Sequence, residues 1–175
     1  MGTPILYSPW LTFSLNNERK SGLLTPSFGS TNKGGIEYTQ PFYWNISQNM
    51  DATIAPRFMT KRGTLLSGEY RYLQPSYSGT MQGQYLPDDK IEHKNRSAYA
   101  VTHNQNLGNG FSGSLALNGA SDDTYFSDLG RSATTTSPAN LLRLGTLSYS
   151  GGGWWSANLL VQSFQTLQDP ALPPE

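Results

Sequence analysis

Cysteine is absent from this 175-residue chain, histidine occurs twice, and only 14% of the residues are charged. Without thiols there is no disulfide scaffold, no cysteine nucleophile and no cysteine zinc site. The 12 basic and 12 acidic side chains cancel, so no overall field draws the protein to nucleic acid or to an anionic surface. Apolar runs last only a few residues, which excludes a transmembrane helix, and no segment carries a helical apolar period. The start shows no charged leader, apolar core or cleavage site, so a signal peptide is not expected there. What is abundant is uncharged or aromatic. About a third of the chain is Ser, Thr, Asn or Gln, 12% is Phe, Trp or Tyr, and there are 18 Gly and 11 Pro. A disordered chain of this polarity carries fewer aromatics, whereas β-structure suits the mixture.

Alternation is the dominant pattern. Leu66, Gly68, Tyr70 and Tyr72 alternate with Ser67, Glu69 and Arg71, and Met81, Gly83 and Tyr85 with Thr80, Gln82 and Gln84. Phe111, Gly113, Leu115 and Leu117 form a third such set, and Trp155, Ala157, Leu159 and Val161 a fourth. A period of two sends each set to its own side of a sheet. Further strands are expected over 23–29, 36–44, 52–59, 97–105 and 141–149, about nine in all. At about 8–12 residues they exceed the globular mode of roughly 5–6 and match the length that crosses a bilayer.

The connections alternate too. Those at 45–50, 75–79, 107–110 and 150–153 are short. Those at 30–35, 61–63, 87–95 and 122–139 are more variable and end long, although 61–63 is itself brief. An up-and-down meander puts alternate connections at opposite ends, as in outer-membrane barrels with short inner turns and long outer loops. A half-polar strand serves a barrel with a wet lumen, and equally a soluble sandwich with an apolar interior. The aromatics near strand ends, Trp44, Tyr72, Tyr85, Trp154 and Trp155 among them, favour the barrel, whose interfaces carry aromatic girdles. Pro26, Pro41 and Pro56 each fall inside an expected strand, where each removes a ladder donor. They mark either bulges and early strand ends or a sheet edge that opens.

Several segments in order resemble the LptD family, the lipopolysaccharide (LPS)-assembly proteins of Gram-negative outer membranes. They are Arg19-Lys20-Ser21-Gly22-Leu23-Leu24-Thr25-Pro26-Ser27, Pro41-Phe42-Tyr43-Trp44-Asn45-Ile46, Asn49-Met50-Asp51-Ala52-Thr53 and Lys61-Arg62-Gly63. Glu69-Tyr70-Arg71-Tyr72-Leu73, Tyr85-Leu86-Pro87-Asp88-Asp89-Lys90 and Tyr125-Phe126-Ser127-Asp128 follow. The resemblance implies an all-β fold, an antiparallel up-and-down transmembrane β-barrel sheet left incomplete, with about nine strands of a larger barrel. Met1-Gly2-Thr3, ahead of the strand-like Pro4-Ile5-Leu6-Tyr7, reads as an expression start at 1–3, and the resemblance implies the end of a periplasmic jellyroll and linker at 4–18 and the N-terminal barrel strands at 19–175. Its implied role is insertion of LPS into the outer leaflet, with Pro26 and Pro41 at a lateral gate between the first and last barrel strands. Implied partners are LPS, an LptE-like plug lipoprotein, outer-membrane lipid, and the rest of the barrel or the barrel-assembly machinery. The jellyroll body, later strands and cysteines of the family pattern are not in this sequence. Nine strands leave two unpaired edges, which lipid does not tolerate, so a partner is expected to complete the sheet.

Catalysis has little support. A serine hydrolase needs a His beside a nucleophile and an orienting group, and nothing places a Ser near His103, while His93 lies in a charged loop. Neither an enzyme nor a cofactor is expected. Asp122, Asp123 and Asp128 lack calcium-loop spacing and read as a polar surface loop. Glu37, Arg57, Glu69 and Arg71 are expected to face the lumen and pair with one another. The alternatives from other classes are a soluble extracellular β-sandwich that binds a glycan or protein, and an outer-membrane lipase.

Overall fold

The computed structural model describes residues 19–130 and 140–168. The expected jellyroll segment at 4–18 and the start at 1–3 lie outside the described residues. The fold is one antiparallel sheet with a single turn of helix. Its strands are β1 (Gly22–Leu23), β2 (Ser27–Thr31), β3 (Gly35–Thr39), β4 (Phe42–Ser47), β5 (Met50–Met59) and β6 (Gly63–Leu73). They continue with β7 (Tyr77–Asp89), β8 (Lys94–Gly108), β9 (Phe111–Ala120), β10 (Asn140–Gly152) and β11 (Trp155–Thr166), and helix α1 (Tyr125–Leu129) lies between β9 and β10. Each strand from β4 onward pairs with the next, while β2 pairs with β3 and β1 with β4. Among the described residues the sheet is an open meander whose free edges are β1–β2 and β11. Where about nine strands were expected the described residues form eleven, because prolines split the first two; joined across those breaks, β1–β2 and β3–β4 restore the expected number.

Register sorts the side chains into two faces. Pairs such as Tyr70↔Met81, Met81↔Val101, Val101↔Leu117 and Leu147↔Leu159 fill one face with apolar groups. That face is open to the surroundings: Ile36, Phe58, Leu66, Met81, Leu159 and Val161 are all exposed. Its aromatics form two groups, one at the short-turn end in the contacts Phe111–Tyr149, Tyr149–Trp155 and Tyr72–Tyr77, and one towards the other end in Phe28–Tyr38 and Tyr38–Phe58. Gly79 faces Tyr72 across the ladder, and the Tyr72 ring covers it so closely that a Cβ there would strike the hydroxyl. The turn between β8 and β9 holds Asn109 and Gly110 at φ 50° and 82°, the paired positive values that a two-residue hairpin with native twist requires.

Two loop expectations are corrected. The segment 87–95 is mostly strand, since β7 runs to Asp89 and β8 starts at Lys94, with a register shift between Leu86 and Asp89. Buried ion pairs order this end of the ladder. The 122–139 loop contains α1, where no helix was expected. Five residues cannot sustain a helix alone, and Thr124 makes no side-chain cap bond. Packing supplies what propensity lacks: Tyr125 and Leu129 are buried against Met59, Leu65, Leu86 and Ala98 on the second face of the sheet. Tyr125 also donates its hydroxyl to Gln84 Oε1 at 2.9 Å. Tyr125→Ala should cost roughly 3–5 kcal/mol, as for other large aromatic truncations in a core, read as easier proteolysis of 121–130.

Candidate functional site

Pro26, Pro41 and Pro56 sit on three consecutive strand paths at one level of the sheet. Phe42↔Ile54 and Thr39↔Arg57 keep one register across the break in the second path, which sets Gln40 opposite Pro56 and Pro41 opposite Ala55. The first path shifts by one residue, from Leu23↔Phe42 to Ser27↔Thr39. An antiparallel strand aims alternate backbone groups at opposite neighbours, so each proline deletes a donor from a different seam. Leu24 N–H donates to Pro41 O at 2.9 Å, and the return bond to Leu24 O is the one Pro41 cannot make. Gln40 N–H donates to Pro56 O at 3.2 Å, and the return bond is the one Pro56 cannot make. On the parity of β2, Pro26 removes its donor from the free edge.

A side chain repairs one of these losses. Gln40 Nε2 donates to Leu24 O at 2.9 Å, and Tyr38 Oη donates to Gln40 Oε1 at 2.7 Å, which fixes the amide. Gln40→Ala alone should weaken this seam by about 0.5–1.5 kcal/mol. In a Pro41→Ala background it should be nearly silent, because the new amide serves Leu24 O. Hydrogen exchange at Leu24 in the double-mutant cycle measures the difference; equal effects in both backgrounds would refute the substitution of one donor by the other.

The second face carries the charges, in two groups. At the short-turn end Arg71 grips Asp51 through two bonds of 2.7 and 2.8 Å, and Tyr43 adds a third at 3.2 Å. Glu69 lies 3.6 Å from Arg71 and accepts from Gln82. At the other end Arg57 and Glu37 pair at 2.7 Å with both side chains buried, and Arg57 Nη1 donates to Leu129 O at 2.8 Å. Next to them lies a second buried cluster. Arg96 is fully buried and contacts Asp122 at 2.6 Å, Asp128 at 3.0 Å and Asp89 at 3.2 Å. Arg62 binds Asp89 at 2.6 Å and Asp128 at 3.5 Å. Lys33, on the β2–β3 turn, reaches Ser127 O at 2.8 Å and Asp128 at 3.2 Å. Among the described residues no group of three or more His, Asp or Glu side chains is arranged to hold a metal.

Relatives decide what family this arrangement belongs to. A profile of the family described as LPS transport system D matches residues 94–173. A protein of Azoarcus sp. (strain BH72) named LPS-assembly protein LptD is 47% identical over 171 residues, 97% of this chain and 21% of that protein. Its namesake in Aromatoleum aromaticum is 47% identical over 169 residues, 95% and 22% of the two chains, and that of Bordetella pertussis 44% over 171, 97% and 22%. The chain belongs to the LptD family. It spans about a fifth of the length of these curated relatives.

In this LptD-family sheet, Glu37, Arg57, Glu69 and Arg71 share one face, with Glu37–Arg57 and Glu69–Arg71 in separate groups at opposite ends. Pro26 and Pro41 are brought level on neighbouring strands. His103 bonds Tyr72 Oη through Nδ1 at 2.6 Å and lies near Gln105 through Nε2. Asp122 and Asp128 are not the solvated loop residues expected, because both are bound by Arg96. Asp89, Arg96 and Arg62 were missed as a group. The only hint was a loop with three aspartates beside arginines at strand ends, and no periodicity joins positions so far apart.

Burial opposes ionisation of Asp122, but hydrogen bonds from Arg96, Ser121 and Thr124 outweigh it and hold the carboxyl down to about 2 from the usual 3.8. Burial likewise opposes charge on Asp128, and bonds from Arg96 and Lys33 bring it below 3.8. A depressed acid pKa stabilises the fold fully above its unfolded value and loses that contribution as protons bind. The seat of α1 should therefore be unchanged from neutral pH down to about 4 and loosen between about 4 and 2. Protease cleavage within 121–130 across that range measures it; loosening near pH 6 would contradict the assignment.

Proposed function

We propose that this chain forms one wall of an outer-membrane LPS translocon, with Pro26 and Pro41 at a lateral gate. The alignment of the prolines carries the reading. They lie at the free edge of the sheet and on the seam just behind it, where parting strands has the fewest backbone bonds to break. The open apolar face suits outer-membrane lipid, and the charged face suits a wet lumen through which a glycan passes. That charged face is also the surface an LptE-like plug lipoprotein would meet. In lipid the unpaired edges β1–β2 and β11 need partner strands. The rest of the barrel supplies them, and the barrel-assembly machinery holds the same edges while the barrel forms. The role is conveyance, with no bond made or broken.

A photo-crosslinker at Phe28, whose backbone faces the free edge, tests the gate in the full-length protein during LPS delivery. Capture of LPS from Phe28, with none from a crosslinker in the middle of β8, is the expected result. No adduct at Phe28 while delivery proceeds would overturn the gate assignment. A purified chain that is monomeric, closed and protease-resistant would overturn the need for a partner strand.

A further inference from the structure

We infer that the outer half of the first hairpin, β2–β3, is a hinged flap that the α1 loop latches shut. The hinge is the line of three prolines. On the near side of that line β1 and β4 continue, and β4 is held to β5 from Phe42↔Ile54 to Asn45↔Asp51. On the far side β3 joins β5 through the three pairs Glu37↔Met59, Tyr38↔Phe58 and Thr39↔Arg57, continued at the turn by Thr60 N–H donating to Ile36 O and Lys61 N–H to Gly34 O, both at 3.1 Å, and among the described residues β2 pairs with β3 alone. Pro56 extends the weakness from the free edge to the seam behind the hairpin, so the unit that is loosely held is the hairpin half rather than a single strand.

The latch grips this half at its tip and at its root. Lys33 at the tip donates to Ser127 O and Asp128 of α1. Arg57 bridges Glu37 of β3 to Leu129 O, the last residue of α1. Thr31 Oγ1 donates to Glu37 Oε1 at 2.7 Å, so the same carboxylate ties the turn to the bridge. Arg62 Nε and Lys61 Nζ donate to Lys33 O and Asn32 O, which lashes the tip to the β5–β6 turn as well. The anchor of the latch lies in the seat that holds Tyr125 and Leu129 against Met59, Leu65, Leu86 and Ala98 of β5 to β8, and in the Arg96 cluster. Residues 121–130 thus lie across the second face and hold the flap against strands that do not move.

Hydrogen exchange on the full-length protein tests this. Tyr125→Ala unseats α1 without touching the hairpin, and Lys33→Met cuts the tip contact without touching the seat. Exchange over 27–39 should rise roughly tenfold in the first, as for loss of a docked unit, and about two- to fivefold in the second, as for a surface ion pair. Amides of 42–47 and 140–166 should keep their parent rates. Unchanged exchange over 27–39 in Tyr125→Ala would overturn the latch, and an equal rise over 42–47 would overturn the hinge at the proline line. The inference deepens the gate reading but is read out separately: a flap that loosens with no change in LPS delivery removes the gate and leaves the latch standing.

Discussion

Arg96→Met is expected to release the α1 loop from the sheet. Arg96 is fully buried and touches three carboxylates, those of Asp89, Asp122 and Asp128. Without it the cations left to these acids among the ion pairs of the described residues are Arg62 and Lys33, neither of which contacts Asp122, whose remaining donors are the neutral hydroxyls of Ser121 and Thr124. Removing one partner of a buried ion pair typically costs about 3–5 kcal/mol, because the stranded charge keeps its desolvation penalty. The loop from 121 to 130 should then be cut by protease added from outside. Arg96→Lys should fall between, since an ammonium cannot reproduce the two-pronged grip on Asp122, at 3.0 Å from Nε and 2.6 Å from Nη2. Unchanged protection of the loop in Arg96→Met would show that the apolar seat under Tyr125 suffices without the charges.

Pro26→Ala with Pro41→Ala, in the full-length protein, should tighten the first two seams and slow delivery of LPS to the surface. Each substitution returns one backbone donor, worth about 0.5–1.5 kcal/mol net. Two such bonds shift an opening equilibrium by roughly 5- to 150-fold. The smaller end is expected at Pro41, because Gln40 already serves the carbonyl that an alanine amide would reach. Surface LPS appearing at the parent rate, with antibiotic permeability unchanged, would remove the prolines from the gate. Adding Pro56→Ala should slow delivery further if the hairpin half moves as a unit, and have no effect if only the first strand parts.

Much of this was legible in the residues themselves. Alternation such as Met81, Gly83, Tyr85 against Thr80, Gln82, Gln84 is a purely local consequence of the pleat, so strand positions and faces follow without knowing any neighbour. The prolines at 26, 41 and 56 were visible as interruptions, and their even spacing of fifteen matches the length of one strand plus its turn. Their alignment was not visible, because level depends on register. A shift of one residue between Leu23↔Phe42 and Ser27↔Thr39 decides which seam each missing donor belongs to.

The sequence by itself determined an all-β chain with two unlike faces, short turns at one end and a long loop at the other. These properties need only the twofold period of a strand and the chemistry of its turns. Tertiary structure alone decided that residues 122–130 of the long loop are not a solvated tail of the sheet. A five-residue helix has no stability of its own, and Asp122, Asp128, Asp89 and Arg96 are ordinary polar residues until the ladder brings strand ends and loop together. Burial then makes their pairing obligatory, because each charge removed from water must find its opposite. That contact, joining residues as far apart as Lys33 and Asp128, is a property of the folded sheet and of no segment within it.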